Sequence, residues 1–162
     1  MGAYQTATAS LLAIALGPVI KAQKLGRLVV EGLFGLDRVG KLKRRPDLAF
    51  VSAEKWPLIK RVPGTEAWDV IPDLAVEVVS QSNKADEIAV KLRDYFRAGV
   101  KQVWVIYAVT RQVYVYTSLT SVQILIEPAE LEGGDLIPGF RLSLTELFED
   151  GPSDGEPEAT PA

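Results

Sequence analysis

The sequence predicts an α/β domain with a mixed β-sheet flanked by helices, and three observations predict it. Residues 74–107 read as a strand–helix–strand crossover, which makes the two strands parallel neighbours. An apolar helix precedes that unit, and short strands separated by turns follow it. The chain has 162 residues, 48% of them hydrophobic, which is one domain's length with enough apolar material for a core.

In order, residues 4–24 read as a helix of small and aliphatic side chains. Gly17-Pro18 predicts a kink or an end there, because proline removes a helix hydrogen bond. Leu11 to Ile20 is too short for a bilayer span and no Lys or Arg precedes it, so a core helix and a cytoplasmic location are expected. Leu28 to Phe34 reads as a strand, followed by a basic turn with Arg38, Lys41, Lys43, Arg44 and Arg45. Pro46-Asp47 opens the strand Leu48 to Val51. Residues 54–71, with Trp56, Trp68, Pro57 and Pro63-Gly64, read as a long irregular connection.

Leu74 to Val79 is the strongest strand in the chain. Asn83 stands where a helix N-cap belongs, with Asp86 and Glu87 in the favourable first turn. The helix carries Ile88, Leu92, Tyr95 and Phe96 as its apolar stripe and stops before Gly99. Strands follow at 103–107, 112–116 and 122–126, then a closing helix at 142–148. Residues 149–162 hold five acids and no base, with Pro and Gly between them. They predict a disordered tail after a single domain of residues 1–148.

Missing residue types narrow the chemistry most. There is no cysteine and no histidine, which removes thiolate nucleophiles, the Ser-His-Asp triad and every thiolate or imidazole metal site. A metal in this chain has only oxygen ligands, which points to Mg²⁺ or Mn²⁺. The net charge is −3, yet residues 21–61 hold eleven Lys and Arg against four acids. That basic third suits a polyanion, and it equally suits a solvated surface.

Among the acids, Glu77 does not fit its surroundings. It interrupts Leu74-Ala75-Val76-Glu77-Val78-Val79, a strand apolar on both faces, where an ionised carboxylate costs several kcal/mol unless paired or metal-bound. The plainer readings are an edge strand with Glu77 in water, or a buried pair with an arginine. Asp47, at a strand start after a proline, is unremarkable alone, but two carboxylates at strand ends can share one octahedral cation. Asp73 shares the face of Glu77 but stands about 13 Å away along the strand, so it reads as a strand-opening turn residue. Lys91, at the edge of the apolar stripe, reads from periodicity as a snorkelling side chain with its head in solvent.

Two segments in combination, Arg44-Arg45-Pro46-Asp47-Leu48-Ala49-Phe50-Val51 and Pro72-Asp73-Leu74-Ala75-Val76-Glu77-Val78-Val79-Ser80, resemble the Uma-type family of restriction-endonuclease-like proteins. So do Asp86, Lys91, Tyr95, Ala98-Gly99-Val100 and Val103-Trp104-Val105-Ile106. The resemblance spans roughly residues 4–126 and implies a restriction-endonuclease-like core of the PD-(D/E)XK nuclease superfamily. It implies Asp47 and Glu77 as metal ligands and catalytic residues, with the backbone carbonyl of Val78 or Val79 completing the site. The motif's lysine position holds Val79, and the resemblance assigns that role to Lys91 on the following helix. Members of the family carry further residues before the first helix and a histidine within it. Their lack here predicts a missing acidic ligand or a trimmed chain.

The resulting expectation is a Mg²⁺- or Mn²⁺-dependent endonuclease acting on DNA, with Lys41, Lys43, Arg44 and Arg45 holding the phosphate backbone. The alternative is a nuclease fold that has lost its chemistry and serves as a nucleic-acid-binding or interaction module. Strands 112–126 are expected to support a homodimer, and no membrane partner is expected.

Overall fold

The computed structural model describes residues 1–151; the rest of the predicted acidic tail, 152–162, lies outside the described residues. The chain begins with helix α1 (Ala3–Ala22), then strands β1 (Gly26–Val30), β2 (Phe34–Gly35), β3 (Lys43–Arg44), β4 (Leu48–Ser52) and β5 (Leu74–Val79). Helix α2 (Ala85–Ala98) leads to β6 (Gln102–Tyr107), β7 (Gln112–Ser118) and β8 (Ser121–Ile126). A short pair, β9 (Glu130–Glu132) and β10 (Arg141–Ser143), precedes the one-turn helix α3 (Leu144–Leu147).

Six strands form the main sheet in the order β1-β4-β5-β6-β7-β8. Only the β5–β6 pair is parallel, as the crossover through α2 requires. Period-two alternation gives the sheet two apolar faces. Leu48, Phe50, Leu74, Val76, Trp104 and Ile106 pack with Leu12, Leu16 and Ile20 of α1. Ala49, Ala75, Val103 and Val105 pack with Ile88, Leu92 and Tyr95 of α2. α1 is therefore a core helix, although at 20 residues it is also long and apolar enough to cross a membrane.

Several elements differ from the sequence expectation for local reasons. α1 does not end at Gly17-Pro18: Ile14, whose carbonyl loses its partner to Pro18, is 73% exposed, so water can take that bond. The strand expected from Leu28 to Phe34 stops at Val30, because Glu31 adopts a left-handed conformation at φ 50°. The chain resumes as the β2–β3 hairpin, whose turn is held by Asp37 accepting from Lys41 N–H (2.9 Å) and Leu42 N–H (3.0 Å). α2 starts one residue later than expected, with Lys84 as N-cap, because Asn83 Oδ1 accepts from Ser80 N–H at 2.9 Å instead. The expected helix at 142–148 is shorter, since Arg141–Ser143 pairs with β9. Ser143 then caps α3 by accepting from Glu146 N–H at 3.1 Å.

The 54–71 connection is irregular as expected, and it is pinned. Arg27 donates to the carbonyls of Trp56, Leu58 and Lys60, while Trp68 stacks on Phe34. This connection wraps the β1 edge of the sheet.

Candidate metal and nuclease site

β5 is an interior strand, hydrogen-bonded to β4 on one side and β6 on the other. That position excludes a water-exposed edge for Glu77, which is 4% exposed. Leu48 pairs with Val76, so one residue further Asp47 lies across from Glu77, where β4 has just begun and β5 still runs on. Beyond Leu48 the ladder has no regular partner for Val78 N–H, and the Asp47 carboxylate takes it: Oδ2 accepts that bond at 2.6 Å. A strand residue's N–H and C=O point to the same side. The Val78 carbonyl therefore faces the same gap as Asp47.

The other face of the site comes from α2. Lys91 and Tyr95 are four residues apart, one turn along the helix, and both reach Glu77. Lys91 Nζ donates to Oε2 at 2.7 Å, and the Tyr95 hydroxyl donates to Oε1 at 2.6 Å. Glu77 is thus paired with a lysine and a tyrosine rather than an arginine. Lys91 turns inward: only its stem direction followed from periodicity, and a buried carboxylate within reach captures its head. The structure brings Asp47, Glu77, Lys91 and the Val78 backbone into one place at the C-terminal end of β5.

The electrostatics of this place favour added positive charge. Burial pushes the Glu77 carboxyl above its ordinary range, although hydrogen bonds from Lys91 and Tyr95 work against it. Burial likewise raises Asp47 against the Val78 N–H and the Lys91 charge. The Tyr95 phenol is driven up by burial and by the adjacent Glu77, so it stays a donor. A hard cation fits this donor set, since every available ligand atom is oxygen and the single Lys91 ammonium is shared by two carboxyls that burial still holds above their ordinary range. The set is small: among the described residues no cluster of three or more Asp or Glu could hold an ion.

The basic turn divides. Lys41 and Lys43 are exposed. Arg44 is committed to an ion pair with Asp94 on α2, and Arg45 donates to the Glu31 carbonyl at 2.7 Å. The Arg44–Asp94 pair and the Tyr95 hydroxyl bond escaped sequence reasoning. Tyr95 read as core, and the only available signal was its four-residue offset from Lys91.

Comparison with known proteins agrees with this geometry at the level of fold and family. Residues 1–145 match the model of the Uma2 family, described as "Putative restriction endonuclease". A solved structure, a "putative nuclease belonging to DUF820" from Anabaena variabilis, superposes with a TM-score of 0.79 at 19% identity. The match covers 92% of this chain and 82% of that one. Among curated proteins, none matches.

Proposed function

The chain belongs to the Uma2 restriction-endonuclease family, and from that premise we propose that it hydrolyses DNA phosphodiester bonds as an endonuclease dependent on Mg²⁺ or Mn²⁺. The observation that carries this reading is the opposition of Asp47 and Glu77 across the ends of β4 and β5, with Lys91 bonded to Glu77. Asp47, Glu77 and the Val78 carbonyl would hold the ion. When bound, such an ion lowers the pKa of coordinated water and withdraws charge from a phosphoryl oxygen.

The remaining groups position and balance. Lys91 brings an ammonium to the carboxylates, where it can orient a water and offset charge growing on the phosphate. Tyr95 fixes the Glu77 carboxylate by holding Oε1. Lys41, Lys43 and Arg45 would contact backbone phosphates, giving salt-sensitive binding with little sequence preference. Arg44 would serve that surface indirectly, by tying the β2–β3 hairpin to α2 through Asp94. Supercoiled plasmid should be nicked in Mn²⁺ or Mg²⁺ by the wild type and not by Glu77→Ala. Equal nicking by both would remove this site.

A second reading has its own observation: both Glu77 oxygens are already bonded, and the carboxylate cluster is small. The chain would then be a non-cutting module that binds nucleic acid or protein. That reading expects no heat on Mn²⁺ titration, so one-to-one binding lost in Asp47→Ala excludes it.

The free edge of the sheet supports a homodimer. β8 carries no charged residue, and Val122, Ile124 and Ile126 on it are exposed. It carries neither the lysines nor the prolines that protect lone edges, and the one irregularity in its pairing with β7 lies at the far end, between Tyr116 and Ser118. The row is symmetric about Ile124, so antiparallel pairing of two copies sets Ile124 against itself and Val122 against Ile126. Sedimentation at micromolar concentration should give the mass of two chains; a single-chain mass would count against the pairing.

A further inference from the structure

β1 is the outermost strand at its end of the main sheet. Its antiparallel register with β4 is flanked by two bonds: Ala53 N–H donates to the Leu25 carbonyl, and Glu31 N–H to the Asp47 carbonyl. Odd-numbered residues of β1 therefore exchange hydrogen bonds with β4, and the backbone N–H and C=O of Leu28 and Val30 point away from the sheet. The 54–71 connection passes this edge without pairing to it. No backbone hydrogen bond joins residues 54–67 to β1, and the Arg27 side chain holds the loop instead, through the carbonyls of Trp56, Leu58 and Lys60. The outward backbone groups are thus left as a template for another chain.

That edge lies in a groove of about 810 Å³. One wall is the C-terminal part of α1, which brings Lys21 and Lys24 and packs on the same sheet face as Leu28. The other wall is the connection, which brings Leu58, Val62 and Trp68, with Trp68 anchored in the core of the opposite face. Val30, Leu58 and Val62 are large, apolar and exposed. Lys21 and Lys24 are exposed and make no ion pair among the described residues, and no acid lines the groove. The groove therefore has an unpaired backbone edge, one positively charged wall and one apolar wall.

We infer that this groove takes one extended peptide as an added strand on β1, a peptide in which carboxylate and apolar side chains alternate. Successive side chains of an added strand point to opposite walls. Those facing α1 meet Lys21 and Lys24, which select carboxylates. Those facing the connection meet Leu58, Val62 and Trp68, which select apolar groups. Main-chain bonds to Leu28 and Val30 supply affinity, and the alternation supplies specificity. The surface needs neither metal nor DNA, so it stands apart from the nuclease reading.

A fluorescein-labelled heptapeptide of alternating glutamate and valine, followed by anisotropy against the full chain, tests this. Saturable binding is expected, and a lysine–valine peptide of the same length should not bind. Lys21→Glu/Lys24→Glu reverses two exposed charges without touching the core and should weaken binding about tenfold. Val30→Pro removes an outward N–H at an exposed edge position, where proline is tolerated, and should weaken binding about fivefold. Should either variant fail to fold, alternate N-methylation of the peptide carries the test on the wild type. Methyl groups in one of the two registers block the N–H groups facing β1, so one methylated peptide should lose binding and the other keep it. No saturable binding by the wild type, equal affinity in folded variants, or equal loss with both methylated peptides would overturn the inference. A second copy seated on the edge would give no peptide binding and a sedimenting mass lowered by Val30→Pro, and that result too would overturn it.

Discussion

Asp73 and Glu77 are four residues apart on one strand or at its start, both nearly without solvent exposure, and they are treated in opposite ways. Burial alone would raise both carboxyls. At Asp73 it is outweighed: Ser52 N–H donates at 2.8 Å, Lys101 lies 3.0 Å away and Lys55 3.5 Å, and the carboxyl ends below its ordinary range. At Glu77, Lys91 and Tyr95 do not outweigh burial, and the carboxyl ends above it. The first acid ties β4, β5 and β6 together at one end of the sheet. The second keeps Lys91 and Tyr95 as its partners at the other end, and burial still holds it above its ordinary range.

This contrast can be broken most forcefully by removing the acids. Glu77→Gln should reduce metal-dependent plasmid nicking by about a hundredfold or more while costing little stability, because a neutral amide is cheaper to bury there. Asp73→Ala should do the reverse. It strands a backbone N–H and two ammonium groups, so unfolding in urea should show a loss of about 3 kcal/mol. A large stability loss in Glu77→Gln, or none in Asp73→Ala, would erase the distinction.

pH sharpens the same comparison. The Glu77 folded pKa is raised, so its contribution favours folding at low pH and is lost as pH rises through the folded value. Glu77→Gln should therefore be at least as stable as the wild type near neutrality, with the gap closing on acidification toward the ordinary glutamate range. The Asp73 folded pKa is lowered, so its contribution is present above the unfolded value and lost as pH falls through the folded one. Asp73→Asn should be less stable than the wild type at neutral pH and converge with it only in stronger acid. Urea midpoints across this pH range would show both gaps. The smallest effect belongs to Tyr95→Phe, expected to cost about 1 kcal/mol of stability and to weaken Mn²⁺ binding a few-fold by freeing Oε1.

The fold was legible where patterns are local. Leu74–Val79 announces itself as an interior strand because no polar residue but Glu77 interrupts it, and α2 follows from its stripe and Gly99. Two- and three-residue strands such as β2, β3, β9 and β10 are too short to carry a period, and the break at Glu31 depends on one backbone angle. In the site, the misfit of Glu77 was legible from sequence alone. Its position opposite Asp47 was not, since register between strands joined by the long connection 53–73 is set by the whole sheet. Periodicity placed Lys91 at the rim of the helix face, but whether its ammonium turned in or out depended on the carboxylate beneath it.

Calorimetric titration of Mn²⁺ into the wild type and Glu77→Gln tests the central claim most directly. The account predicts one-to-one binding in the wild type that weakens as pH falls and disappears in Glu77→Gln. No heat in the wild type, or the same heat in both proteins, would contradict it.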